Sequence, residues 1–162
     1  MKKYCFVALI LAFVLLFGGC ATEKYRDDVS CKALVDAVTA KMPSELDFRE
    51  LDESFREFYF EGADGFDDCY IAYSADNEDI SEIGVFHAVS DEAAEKIEGI
   101  CYEYINDLSQ NSRAFIASYA PEELTKLDGA EVRRYGRYVV YTVLNTADTE
   151  RVFEAVKNAL SE

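Results

Sequence analysis

The stretch from Glu131 to Leu144, EVRRYGRYVVYTVL, reads as two strands folded back on each other. Gly136-Arg137 at its centre is a two-residue Gly-X link of the II′ type, whose twist matches that of antiparallel strands. Along the second strand Val139, Tyr141 and Val143 share one face, while Tyr138, Val140 and Leu144 share the other. A segment this apolar, joined this tightly to its neighbour, commits the chain to an antiparallel sheet.

Working outward, a second pair of runs has the same character. Ile83 to Val89 is almost wholly apolar, as expected of a strand that lies centrally or is covered on both sides. Cys69, Ile71 and Tyr73 alternate on the run from Asp68 to Ala75, and Asp76-Asn77-Glu78-Asp79 joins the two as a hairpin loop. The rest is helical. Ser30 precedes Cys31, Leu34, Val35, Val38 and Met42 at helical spacing, with Pro43 as the stop. A weaker aromatic-rich helix is expected around Leu51 to Tyr59, followed by a loop from Glu61 to Asp68 that contains Gly62 and Gly65. Ser90, with Asp91 and Glu92 in the first turn, opens a long helix to Ser118. Its expected inner face is Ile97, Cys101, Tyr104, Ile105, Leu108, Phe115 and Tyr119, with a break near Asn111. Tyr119-Ala120-Pro121 ends it, and Pro121-Glu122-Glu123 opens a brief further turn. Asp148 is the expected cap of a closing helix with Val152, Val156 and Leu160 inward. The order predicts an α+β two-layer sandwich: two β-hairpins forming a four-stranded antiparallel sheet, packed by the long central helix and by N- and C-terminal helices.

The N-terminus is of another kind. Lys2 and Lys3 precede an uncharged run of 16 residues, Tyr4 to Gly19. As a helix that run reaches about 24 Å, short of the ~30 Å hydrocarbon core, so it reads as an export signal and not a span. Phe17-Gly18-Gly19-Cys20 resembles the lipobox of bacterial lipoprotein precursors, with Phe17 where an aliphatic residue is usual. That resemblance implies a diacylglyceryl group on the Cys20 sulfur and cleavage just before it. The expected organisation is therefore a lipoprotein signal peptide over 1–19, a lipidated cysteine and polar tether over 20–29, and a single domain over 30–162. The alternative is a plain secretory signal with an incidental cysteine.

Composition narrows the partners. The chain carries 16 basic and 32 acidic side chains, a net charge of −16, and losing Lys2 and Lys3 would take it to −18. Such a surface repels nucleic acid and anionic headgroups, so no nucleic-acid partner is expected. The expected partners are the membrane, through the lipid anchor, and an envelope protein or small ligand that the sequence does not identify, with the domain itself a monomer. Cys31, Cys69 and Cys101 are an odd set at wide spacing, matching neither a zinc site nor a disulfide framework. An exported protein can pair two of them, but each lies on the apolar phase of its segment, which favours buried thiols.

Candidate chemistry is sparse. The one histidine, His87, lies inside an apolar strand, and no nucleophile elbow, His-Glu-x-x-His or phosphate-binding glycine loop accompanies it. Between Arg56 and Lys96 there is no lysine or arginine, and there are twelve acidic residues. The loop acids Asp64, Asp67, Asp68, Asp76, Glu78 and Asp79 are weak candidates to gather a cation, although their spacing does not follow the EF-hand series. No cofactor is expected. Arg133, Arg134 and Arg137 either bind an anion or answer the acidic hairpin across the sheet, and we favour the internal pairing. Tyr70, Tyr73, Tyr135, Tyr138 and Tyr141 offer either a stacking surface or ordinary half-buried packing, the usual role of strand tyrosines.

Three landmarks, Glu82-Ile83-Gly84-Val85-Phe86, Tyr119-Ala120-Pro121-Glu122 and Gly136-Arg137-Tyr138-Val139-Val140, resemble in order and spacing those of a family of small bacterial lipoproteins catalogued as a domain of unknown function (family 4358). The resemblance runs from about Asp28 to Leu160. It implies a cell-surface lipoprotein, extracytoplasmic and lipid-anchored, and it supplies no catalytic residues. The function expected is a non-catalytic binding or accessory module held at the outer face of the membrane through Cys20. The alternative is an envelope hydrolase or cation-dependent enzyme using Asp and Glu from the hairpin loops.

Overall fold

A computed structural model of the protein describes residues 24–42 and 47–161. The signal segment, Cys20 and Pro43 lie outside the described residues. In chain order the elements are α1 (Cys31–Thr39), β1 (Phe48–Glu50), α2 (Glu53–Tyr59), β2 (Phe66–Ser74), β3 (Glu82–Ala88), α3 (Asp91–Tyr119), a 3-10 turn (Pro121–Glu123), α4 (Leu124–Asp128), β4 (Glu131–Tyr135), β5 (Tyr138–Val143) and α5 (Thr146–Leu160).

Both expected hairpins are present, and they join side by side through β3 and β5, with Glu82 opposite Val143 and His87 opposite Tyr138. The sheet has five strands in the order β1-β2-β3-β5-β4, all antiparallel, and not the four expected. The added strand, Phe48-Arg49-Glu50, is three residues long with two of them charged. It carries too little periodicity to announce itself, and its charges suit an exposed sheet edge. At the hairpin that decides the fold, Gly136 has φ 60° while Arg137 does not have positive φ, as a II′ link requires.

The second correction concerns layers. Every residue of β5 is buried, so both faces of the sheet need cover. One face carries Ala72, Ile83, Val85, Tyr138 and Val140 against Leu34, Val35 and Val38 of α1 and Val152, Phe153 and Val156 of α5. The other carries Ile71, Phe86, Val139 and Tyr141 against Ala94, Ile97 and Cys101 of α3 and against Phe60, just after α2. The fold is thus three layers, helix–sheet–helix, and not a two-layer sandwich. At about 25 cal/mol per Å², burying two faces instead of one gives a domain of this size a larger apolar driving force.

Helix ends follow the expected chemistry with one change. Ser30 and Ser90 accept from the amides of Ala33 and Ala93. The cap of α5 is Asn145, not Asp148: the Asn145 side chain accepts from the Asp148 amide at 3.1 Å, and its amide donates back to the Asp148 carboxylate at 2.7 Å. Helix α3 runs unbroken through Asn111 for 29 residues, about 43 Å. Its inner face ends differently from expectation. Phe115 and Tyr119 are 64% and 77% exposed and stack on each other, while Ile116 turns inward onto Leu127 and Val143. At about 3.6 residues per turn Phe115 lies five full turns beyond Ile97, so the change is one of neighbours: over the last turns α4 and β5 take Ile116, about 100° round from Phe115.

Candidate functional site

The expected site residues do not converge. Asp64 pairs with Lys96, and Asp67 and Asp27 bond to the two ring nitrogens of His87 at 2.6 and 2.8 Å. Asp68 accepts from the Cys31 amide, Asp76 from the Glu78 amide, and Asp79 from Lys126 and the Ser81 amide. Among the described residues no group of three His, Cys, Asp or Glu side chains is placed to hold a metal ion. Both ring nitrogens of His87 are thus engaged by carboxylates. The histidine clasps the segment before α1 to the sheet, its ring 4.5 Å from that of Tyr138.

The arginines pair internally, but with other acids than those expected. Arg133 bonds to Glu131 and Glu150, Arg134 reaches Glu98 at 3.7 Å, and Arg137 pairs with Asp27. The register explains it: Gly136-Arg137 lies at the His87 end of the sheet, whereas the acidic loop between β2 and β3 lies at the Glu82 end. Lys126 answers that loop instead, bonding Asp79 at 2.7 Å and Glu123 at 2.9 Å. Cys31, Cys69 and Cys101 are all free thiols, and burial pushes the Cys69 thiol up to about 12, far from the reactive thiolate range.

What the fold does assemble is a cleft between α2 and α3. Its cavity, about 260 Å³, is lined by Leu51, Phe55, Tyr59, Tyr73, Glu82 and Tyr104. Each comes from a different constraint. The edge pairing of β1 brings the chain to Leu51, whose amide donates to the Ile71 carbonyl at 2.9 Å. Asp52 caps α2, whose seven residues present Phe55 and Tyr59. Tyr73 and Glu82 are cross-strand partners, and the long reach of α3 brings Tyr104 above them.

Glu82 forms the floor. One carboxylate oxygen accepts from Tyr104 Oη at 2.8 Å and the other from Tyr141 Oη. Burial raises the Glu82 carboxyl above the ordinary glutamate range, and the two phenolic hydrogen bonds only partly offset this. Burial, then the neighbouring Glu82 charge, pushes both phenols well up, so each stays a donor. Tyr141 is held further by its cross-strand partner Gly84: a Cβ there would lie 2.8 Å from Tyr141 Cδ1 and nearer still to Cε1 and Cζ. The landmark Glu82-x-Gly84 therefore has a physical reading, with the glycine admitting the ring whose hydroxyl meets the glutamate.

Tyr73 was singled out in the sequence among strand tyrosines; Glu82 and Tyr104 were not singled out as site residues. A glutamate opening an apolar strand, on the face opposite Ile83, was the available signal.

A second cavity of about 260 Å³ lies between α1 and α5, lined by Val38, Met42, Val152 and a rim of both charge signs. Its least exposed polar group, Asp148, is already paired with Arg151 at 2.8 Å.

No curated protein and no solved structure matches the chain. A family model does match, over residues 44–144, a narrower span than the resemblance implied but one that holds all five strands and every residue lining the α2–α3 cleft. With well over half of its length so matched, the chain belongs to the family described as Domain of unknown function (DUF4358).

Proposed function

We propose that the protein is a non-catalytic binding module, tethered to the outer face of the membrane through a diacylated Cys20, and that it binds a small ligand in the α2–α3 cleft. The cleft carries the reading. Ligand sites are concave and mostly apolar, with a few placed polar groups, and a carboxyl perturbed by burial at the base of such a cleft marks a site candidate. Here five of the six lining residues are apolar or aromatic and the sixth is Glu82. Binding is favoured over hydrolysis because Glu82 is the one carboxylate in the lining, where paired-carboxylate chemistry uses two.

Two measurements test this. Membranes from cells expressing the wild type and Cys20→Ala are fractionated, and the N-terminal peptide is weighed. Retention of the wild type alone, with a diacylglyceryl mass on Cys20, supports the anchor; identical fractionation without that mass refutes it. For the cleft, a set of small polar and aromatic compounds is screened by amide NMR. Shifts that cluster at Leu51, Tyr59, Tyr73 and Tyr104 support it. Shifts confined to the α1–α5 groove, or none at all, refute it.

A further inference from the structure

The charge balance of the cleft narrows what it can hold. At the same end of the sheet Asp79 and Glu123 share Lys126, whose side chain is only 15% exposed. Glu82 meets two neutral phenols, and no lysine or arginine lines the cavity above it. The groups facing it are Tyr73 from β2, Tyr104 from α3 and Tyr141 from β5, with Tyr59 from α2 across the opening. All are donors or ring faces, and the face of an aromatic ring is its negative side.

Such a wall excludes several ligand classes. An anion would meet Glu82 and the ring faces with no cation to offset them. A divalent metal wants six or more oxygen ligands for calcium, or near-ideal octahedral geometry for magnesium, and the lining offers one carboxylate. A poorly hydrated organic cation fits, since ring faces attract it and a buried carboxylate supplies the counter-charge. The same cross-strand row already shows the interaction: Arg49, opposite Tyr73, holds its guanidinium 4.7 Å from the centre of the Tyr73 ring. Because Tyr104 and Tyr141 spend their hydroxyl protons on Glu82, the floor presents charge and ring faces, which suits an ammonium whose own N–H groups are replaced by methyls. The cavity is several times the ~30 Å³ share of one water, so such a group has room.

We infer that the cleft binds a small molecule bearing a methylated ammonium group, seated among the rings of Phe55, Tyr59, Tyr73 and Tyr104 above the Glu82 carboxylate. This rests on the reading of the cleft as the binding site. The test uses the full chain purified in an uncharged maltoside detergent, titrated calorimetrically with choline and with 3,3-dimethyl-1-butanol, its neutral counterpart of the same shape. Choline is expected to bind saturably in the millimolar range and the neutral alcohol at least about tenfold more weakly. Glu82→Gln is expected to cost choline about tenfold or more. Tyr59→Leu, at a ring 48% exposed where folding is not at stake, is expected to weaken choline severalfold. Equal binding of choline and the alcohol, with both shifting cleft amides, overturns the ammonium inference and leaves the cleft reading standing. Choline binding unchanged in both variants overturns the inference by placing choline elsewhere. No choline binding also overturns it; the compound screen then decides separately whether the cleft binds anything.

Discussion

Replacing Gly84 by alanine tests the packing that builds the floor of the cleft. The new methyl would enter the ring of Tyr141, which is fully buried, lies 5.4 Å from the Phe60 ring and 5.6 Å from the Tyr104 ring, and is fixed at its far end by Glu82. The ring cannot swing aside without leaving the carboxylate. Overpacking of this kind costs about 1–3 kcal/mol. Losing a hydrogen bond to a charged group adds about 1.5–3 kcal/mol, and alanine returns about 0.5–1 kcal/mol over glycine in a strand. The expected net loss is about 3 kcal/mol, or roughly 10 °C in Tm for a domain of this size, read by urea and thermal unfolding followed by circular dichroism. Tyr141→Phe supplies the control, because that ring has already lost its bond to Glu82. In the double variant the two losses should sum to more than the measured total by at least about 1 kcal/mol. A Gly84→Ala protein within about 0.5 kcal/mol of wild type, or strictly additive variants, would refute the account of Tyr141 as the brace beneath Glu82.

Other expectations follow from single contacts. Tyr138 Oη accepts from the Val29 amide at 3.0 Å and donates to the Val29 carbonyl at 2.7 Å; Tyr138→Phe should cost about 1–3 kcal/mol and abolish hydrogen-exchange protection at the Val29 amide, while leaving β3 amides protected. Thr149 Oγ1, buried between the Gly129 carbonyl and Thr142 Oγ1, should cost about 1–3 kcal/mol on replacement by the isosteric valine, measured by urea unfolding. Glu82→Gln should change the pH profile of Tm. Below about 4.5 both folded and unfolded states keep the Glu82 proton; as pH rises the unfolded state, with the ordinary value, loses it first, so wild-type stability falls until the raised folded value is passed. The variant lacks that loss, and its Tm relative to wild type should climb between pH 4.5 and 7. A constant difference across that range would refute a raised Glu82 carboxyl. Asp79 acts in the opposite sense: burial alone would raise it, but hydrogen bonds from Lys126 and Ser81 hold it below the ordinary range, so Asp79→Asn should lose its stability deficit as pH falls through the wild-type Asp79 value.

The hairpins were legible because strand alternation and turn chemistry are local. Ile83 to Val89 and Tyr138 to Leu144 announced themselves through unbroken apolar runs and through Gly136. The same runs held information that a two-layer reading leaves unused: if Tyr138, Val140 and Leu144 face one way and Val139, Tyr141 and Val143 the other, neither face can be wet. The strand β1 escaped because two of its three residues are charged and its pairing partner lies more than twenty residues away. The cleft escaped for a related reason. Leu51, Tyr59, Tyr73, Glu82 and Tyr104 share no spacing; their meeting depends on β1 taking the sheet edge and α3 crossing above it. Glu82 read as one more acid among twelve until its two tyrosine donors were placed.

The positions of strap and cleft bear on how an anchored domain would work. The residues before α1 are docked: Arg26 donates its amide to the Leu160 carbonyl at 2.7 Å, Tyr25 bridges to Ser161 and packs on Tyr135, and Asp27 meets His87 and Arg137. A lipid on Cys20 would then be joined to the docked Tyr25 through only four intervening residues, an extended reach of at most about 18 Å. The docking points lie at the His87 and Gly136 end of the sheet, on the face covered by α1 and α5. Glu82 lies five residues further along β3, about 17 Å away, and on the face covered by α2 and α3. An anchor at Cys20 would therefore set the strap end against the bilayer and turn the cleft away from it, open to solutes and not to lipid. The histidine clasp, read from the sequence as no more than a strand residue, is what holds the strap to that end of the sheet.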